Sequence, residues 1–463
     1  MGRKRITLRK TTSRTLQKNF HFNIENGIIL ALLFTTLIIW TGTIILFLKD
    51  DANDSHEKNL SHAKNKESLR KFNEFLDFQR NQYLGPKYQN PSILKSHCSV
   101  TILLMDPATG TPGNSNELFY SLESTVSNIH PSAKETACIL LQTSHCLNKD
   151  GIQGVYNRIW THAQTELKQM IVSGNVRVTF LDHKKYKVRS CSNFYNPSSA
   201  WMNAHYWVDE FESEDSDLVL SIQNDSVLCH TFNPDLWRDV AWVGGVWPPH
   251  ANMHNNPMPP EGMCNFLPLK WKEWSHVDNV NLPKNLCVPN SGEGAFGNGG
   301  LTIRSRQWLI KAIRFCPFSK YAGLTSLEVK NAKCSLPARA DPAEDVFFSI
   351  ILRVMGAPLP SEFEASLFSV EMIFAEHVLE YYYDEVTDEL EKELEAMVVR
   401  RWGNDTIDNG LELFRRMRKQ KYTIPIGFHK PYWYYSYDEL SAPYIKNECQ
   451  FLDDIIPPSR KKR

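Results

Sequence analysis

Gln223, Asn224 and Asp225 stand where an apolar run stops. The stretch Leu218 to Cys229 reads LVLSIQNDSVLC, a buried strand by composition that breaks abruptly into polar side chains. Open α/β sheets place their ligands just outside such strand ends. An acid there can ligate a metal or a ribose hydroxyl, and it can equally cap the next turn. Three more polar marks follow. The segment SGEGAFGNGG, residues 291–300, lets a ligand approach the backbone closely because no Cβ intervenes, or it is an ordinary glycine-rich turn. Glu344 and Asp345 follow Asp341-Pro342 and precede VFFSIILRVM, a helix-start pattern. A carboxylate in that position is stabilised in its charged form and can accept a proton, or it simply caps the helix. His429 lies in PIGFHKPYW, where a histidine taken alone is a hydrogen-bonded loop residue.

The elements that must position these residues alternate in type. Cys98–Met105, Ala137–Gln142 and Val176–Leu181 read as strands, with helices over Glu117–Ile129 and Tyr156–Ile171 between them. Ala200–Phe211 is an aromatic-rich helical stretch, and the central strand at 218–222 follows it. This rhythm predicts an α/β fold with a mostly parallel, Rossmann-like central sheet covered by helices on both faces. Asp239–Trp247 reads as a strand with a glycine bend, and Leu301–Phe315 as a strand and a helix placed after the glycine segment. From His377 to Lys421 the pattern is helical, with Leu379, Tyr382, Val386, Leu390 and Leu394 on one face.

Gly27–Leu48 carries no charge and reaches about 33 Å as a helix, enough to cross a bilayer. Basic residues precede it and acidic ones follow, so the positive-inside rule leaves residues 1–26 as a cytosolic tail. Residues 49–95 read as a lumenal stalk and 96–463 as the folded domain. The stalk stripe of Leu69, Phe72 and Leu76 suits a helix packed on that domain, and a stalk-mediated homodimer is the alternative. All ten cysteines lie beyond the span, in an oxidising compartment where several disulfides are expected. Cys229, closing the central strand, is expected as a buried thiol. No Cys or His spacing suits a structural zinc. Sequons occur at Asn53, Asn59, Asn224 and Asn404, and Asn224 is expected to stay unmodified. Lys plus Arg equals Asp plus Glu at 52 each, which argues against a nucleic-acid partner held by bulk charge.

The order of the marks resembles the common core of GT-A fold glycosyltransferases: an acidic metal motif, a glycine loop, an acidic pair at a helix start and a late histidine. QNDSVLC, WVGGVW, GNGGLTIRS, AEDVFF and IGFHKPY resemble most closely a eukaryotic family of membrane-anchored GT-A-like domains, over roughly residues 98–435. The resemblance implies transfer of a sugar from a nucleotide-sugar donor to a glycan, protein or lipid acceptor. It implies a type II protein of the Golgi or endoplasmic reticulum membrane. Asp225 and His429 become ligands for a divalent metal, Mn²⁺ or Mg²⁺. Gln223, Asp225, Gly299 and Gly300 become donor-binding. Asp345 takes the part of general base of an inverting reaction, with Glu344 beside it, and Trp247, Tyr432 and Trp433 become sugar platforms. One departure stands out: the usual motif has two aspartates flanking one residue, and here the first is Gln223.

Two other classes fit parts of the pattern. A non-catalytic descendant that binds glycans or scaffolds other proteins would explain Gln223, whereas Asp345 and His429 argue against it. A membrane-anchored hydrolase finds no GxSxG elbow and no HExxH motif here.

Overall fold

Leu218–Ile222 forms a strand in which every residue is buried, and the sheet extends from it in both directions. The computed structural model describes residues 97–106, 115–143, 151–182, 185–186, 198–212, 215–246, 297–318, 323–334, 343–370, 386–403, 410–420, 423–429 and 449–452. Its strands are β1 (Thr101–Asp106), β2 (Cys138–Thr143), β3 (Val176–Phe180), β4 (Leu218–Ile222), β5 (Ser226–Leu228), β6 (Trp242–Val246), β7 (Gly297–Ser305), β8 (Ser369–Val370) and β9 (Gly427–His429). They form one sheet in the order β3-β2-β1-β4-β7-β6-β8-β9-β5.

The first four strands run parallel. β1, β2 and β4 have near-continuous apolar cores, as strands covered on both faces require, whereas β3, at the sheet edge, alternates Val176 and Val178 with Arg177 and Thr179. β7 then runs antiparallel between β4 and β6, β8 is parallel to β6 and β9, and β5 is antiparallel to β9. The result is a mixed α/β fold with a mostly parallel central sheet. The expected parallel layer is therefore the first half of the sheet, and the second half carries the reversals.

Side chains alternate across the sheet. Leu103, Leu140, Val219 and Trp242 share one cluster with Leu309 and Ile313 of α7 (Arg306–Phe315) and Phe347, Phe348 and Ile351 of α9 (Glu344–Val354). Ile102, Leu104, Ile139, Leu141 and Leu220, the alternate positions, are equally buried. α1 (Ser115–Ser127) lies against β5, where Ser121 Oγ donates to the Ser226 carbonyl and Asn128 Nδ2 to the Leu228 carbonyl.

Several boundaries depart from the periodicity. The helix expected over Tyr156–Ile171 is two helices, α3 (Gly151–His162) and α4 (Thr165–Val172), because the Gln164 amide is taken by Glu123 Oε2 at 3.0 Å. Ala200–Phe211 holds two single turns, α5 (Ser198–Trp201) and α6 (Tyr206–Asp209). The late helical run contains α11 (Asp388–Trp402) and α12 (Gly410–Gln420). It breaks at Gly403, whose φ of 76° ends α11. The buried stripe of α11 is Leu394, Val398 and Trp402, so of the expected apolar face only Leu394 is fully buried while Val386 and Leu390 are half-buried. Leu379 and Tyr382 lie outside the described residues.

Cys229 is not a thiol. It is joined to Cys449, and Cys98–Cys138 and Cys316–Cys334 are further disulfides. Its position at the strand end reads as core, but the partner arrives from 220 residues downstream. Among the described residues no helix is long and apolar enough to cross a membrane. The Gly27–Leu48 segment, the tail before it, the stalk after it and the sequons at Asn53, Asn59 and Asn404 all lie outside them.

Candidate functional site

Gln223 and Asp225 are placed by a turn that fastens β4 to β7. The Gln223 amide donates to the Gly300 carbonyl at 2.9 Å, and Ser226 Oγ donates to the same oxygen at 2.8 Å. The Ser226 amide returns to the Gln223 carbonyl at 3.1 Å and closes the turn. β5 begins at Ser226, which pairs with His429 across the antiparallel β5–β9 ladder. That register delivers the histidine to the acid. His429 Nε2 lies 3.3 Å from Asp225 Oδ1 and 3.2 Å from Gln223 Oε1. The imidazole is 0% exposed and Asp225 is 9% exposed. Room for it is made by Gly300, where an added Cβ would sit 2.0 Å from Nε2.

Glu344 and Asp345 meet the neighbouring glycine. They are the first two residues of α9, whose N-cap, Ala343, offers no side-chain cap. Asp345 Oδ1 accepts the Val346 amide at 2.8 Å, and Oδ2 faces the Gly299 amide at 3.4 Å. One backbone amide of the helix and one of β7 thus hold this carboxylate in place. A Cβ on Gly299 would lie 2.4 Å from Glu344 Oε1. Consecutive glycines therefore touch the two halves of the site: Gly300 the Gln223/Asp225/His429 group, Gly299 the Glu344/Asp345 pair.

A bulge shapes this point of β7. Gly244 of β6 is opposite Thr302, yet Gly245 is opposite Asn298, so residues 299–301 bow outward. A Cβ on Gly244 would be 2.2 Å from the Asn298 carbonyl, which explains the glycine in WVGGVW. By sequence the glycine segment reads as a glycine-rich turn before a strand. Its Gly297–Gly300 part is instead the start of β7 itself, and residues 291–296 lie outside the described residues.

Sequence reasoning missed Arg304. It is fully buried in β7, between the rings of Trp201 and Trp242 at 4.3 and 4.6 Å. Its Nη2 donates to the Gly299 carbonyl at 2.9 Å and lies 3.7 Å from Glu344 Oε1. Burial lowers its pKa to about 10, while Glu344 works in the opposite direction, so it stays a cation at neutral pH. The available signal was a lone charge inside LTIRS, opposite Val219 and Trp242.

The donors fit a small divalent ion. Among the described residues there is no group of three or more His, Cys, Asp and Glu side chains suited to a metal. The amide oxygen of Gln223 supplies a further hard ligand beside Asp225 Oδ1 and His429 Nε2. Separations of 3.2 and 3.3 Å between His429 Nε2 and its two neighbours are close to the ~3 Å between adjacent ligands of an octahedral ion with ~2.1 Å bonds. One imidazole, one carboxylate and one amide suit Mn²⁺ better than Mg²⁺. Asn224 is half-buried in the same turn. Trp247, Tyr432 and Trp433 lie outside the described residues.

Residues 184–385 match a family model described as a protein of unknown function, DUF5672. No curated protein matches the chain. Among solved structures the chain is similar to the galactosyltransferase LgtC in complex with donor and acceptor sugar analogues. That match has 11% identity and a TM-score of 0.37, and it covers 78% of this chain and 99% of that one. It is similar to mouse xyloside xylosyltransferase 1 at 10% identity and a TM-score of 0.32, over 71% of this chain and 97% of that one. A third similarity is to the S. cerevisiae mannosyltransferase Ktr4p in complex with GDP, at 11% identity and a TM-score of 0.27, over 65% and 78%. These are glycosyltransferases, the class the motifs resemble.

Proposed function

We propose that this chain transfers a glycosyl group from a nucleoside-diphosphate sugar to a hydroxyl acceptor. The observation that carries the reading is the convergence of Gln223, Asp225 and His429 with Glu344 and Asp345 on either side of Gly299–Gly300, at the end of β4. A hard-ligand set beside a carboxylate pair is what such a transfer needs. A divalent ion held by Asp225, His429 and Gln223 would supply Lewis-acid stabilisation of the diphosphate. The protein's own part is acid–base and positional. The acceptor oxygen forms the new bond to the anomeric carbon as the bond from that carbon to the diphosphate oxygen breaks. The acceptor proton passes to Asp345, and the nucleoside diphosphate leaves. Each carboxylate oxygen has two lone pairs, so Asp345 keeps accepting capacity beside its two backbone amides. A single direct displacement inverts the anomeric centre. Glu344 lies beside the base and contacts donor or acceptor. The Gly27–Leu48 span, flanked as described, supports a type II orientation in a Golgi or endoplasmic reticulum membrane, with the site lumenal.

A non-catalytic, glycan-binding reading draws on Gln223 alone. The deciding experiment follows tryptophan fluorescence on heating the purified full-length protein, with UDP, GDP and their sugars, with and without Mn²⁺. A ligand at about 100 times its Kd stabilises the fold by about 2.7 kcal/mol. Stabilisation by one nucleotide sugar, with its transfer abolished and its binding kept in Asp345→Asn, supports the transferase. A folded protein that responds to no nucleotide moves the reading to glycan binding.

A further inference from the structure

Arg304 belongs to a closed hydrogen-bond circuit. Its Nε donates to Thr302 Oγ1 at 2.9 Å, Thr302 Oγ1 donates to the Gly299 carbonyl at 3.0 Å, and Arg304 Nη2 donates to that same carbonyl at 2.9 Å. The circuit fixes the bowed part of β7 at one peptide group. Gly299 is also the residue whose amide faces Asp345 and whose Cα abuts Glu344. Backbone and acids are therefore coupled through one residue, and the guanidinium holds its carbonyl.

Stability does not account for this arrangement. A fully buried guanidinium is expensive to desolvate, and Arg304 Nη1 has no hydrogen-bond partner among the described residues. The nearest carboxylate, Glu344, is at 3.7 Å, beyond hydrogen-bond range. An apolar side chain between Trp201 and Trp242 would satisfy the core at lower cost. What an apolar residue cannot do is hold the Gly299 carbonyl and present a positive charge to Glu344.

We propose that Arg304 is a positioning residue of the transfer reaction, setting Glu344 and Asp345 through the Gly299 peptide. This rests on the glycosyl-transfer reading. Lysine keeps the charge but lacks the planar fork that reaches Thr302 and Gly299 together. The loss falls on the acids rather than on the Gln223/Asp225/His429 half, which Gly300 serves. It therefore appears in kcat and not in nucleoside-diphosphate affinity.

The test measures nucleoside-diphosphate release by the purified full-length protein from UDP-glucose, UDP-galactose, UDP-xylose and GDP-mannose, with Mn²⁺ present and water as the hydroxyl acceptor of the glycosyl group. Arg304→Lys is expected to lower kcat by about thirtyfold or more with KM and nucleoside-diphosphate affinity within about threefold. Thr302→Val breaks the circuit without removing the charge, and about a tenfold loss in kcat at constant KM is expected. In a Glu344→Gln background Arg304→Lys is expected to add less than about a twofold further loss, since residues acting through one another are not additive. Losses that multiply in the double variant would overturn the proposal. So would a lower melting temperature with kcat unchanged in both single variants, which is a structural role only. If the folded wild-type protein releases nothing from any of the four donors, the glycosyl-transfer reading fails first and Arg304 loses its role with it. If the wild type turns over and Arg304→Lys matches it, the reading stands and this inference alone is lost.

Discussion

The backbone of Gly300 is packed against the ring of His429 so closely that a methyl group on its Cα would lie 2.0 Å from Nε2. The ring is 0% exposed and cannot swing into solvent. Gly300→Ala should therefore displace His429 from Asp225 and Gln223. Overpacking of this kind costs about 1–3 kcal/mol, and Mn²⁺ stabilisation of the protein should vanish. Gly356→Ala is the control. Its φ of 67° strains an alanine, but nothing lies within 4 Å of the added methyl. A fall in melting temperature with Mn²⁺ stabilisation intact is expected there. Equal effects of the two variants on metal response would show that the Gly300 contact has no part in the site.

Gln223→Asp tests the departure from the usual acidic motif. The amide oxygen is 3.2 Å from His429 Nε2, where a carboxylate would add a charged ligand. Mn²⁺ affinity, read from thermal shifts across a metal titration, should rise by about tenfold or more. Without metal the variant should be less stable, because two carboxylates then share one turn. A metal affinity no higher than wild type would remove Gln223 from the ligand set.

The legible parts of the molecule are those with long or repeated signals. β4 is legible at its full span because four of its five residues, Leu218, Val219, Leu220 and Ile222, are apolar and the strand is buried on both faces. Glu344 and Asp345 sit at the head of α9, as Asp341-Pro342 and the apolar run after it foretell. The illegible parts depend on distant chain. β9 is three residues long and β8 two, too short for any periodicity, yet β9 carries His429 into place. Its residue could be picked out by motif; the strand could not. Arg304 sits in a strand whose neighbours are apolar, and only the fold shows the two indoles that sandwich it. Cys229 reads as core for the same reason: nothing local points to Cys449.

That disulfide yields a third prediction. Cys229 follows β5 directly, and its amide donates to the Ile426 carbonyl at 2.8 Å, just before β9. With Val227, Phe428, Phe451 and Leu452 it forms a small cluster at the edge of the sheet. The bridge thus ties the segment at Cys449 to β5, which follows Asp225 directly, and β5 pairs with β9, which carries His429. Cys449→Ser should cost about 2–5 kcal/mol and weaken Mn²⁺ and nucleotide binding together. Cys138→Ser breaks the bridge to Cys98, at the start of β2 and the opposite end of the strands from the site. It should lower stability and leave binding unchanged. Binding losses of equal size in both variants would mean a global rather than a local effect.

Glu362 provides a pH-dependent test away from the site. It opens α10 (Glu362–Phe368), where burial raises its pKa from 4.5 to about 7 and Arg353 only partly opposes this. A raised folded-state pKa in an acid means that the fold prefers the protonated form. The cost of ionising it in place is absent below the unfolded value near 4.5. It grows as pH rises toward 7 and is constant above that. Glu362→Gln keeps the shape and removes the ionisation. At pH 8 the variant should be more stable than wild type, by up to about 2 kcal/mol after allowing for partial solvation. At pH 4 the two should melt together, because the wild-type carboxyl is then neutral in the folded state. The measurement is the difference in melting temperature between variant and wild type from pH 4 to pH 8. A difference that stays flat, or that shrinks toward pH 8, would mean that Glu362 is ionised in the fold at no cost and that Arg353 fully compensates it.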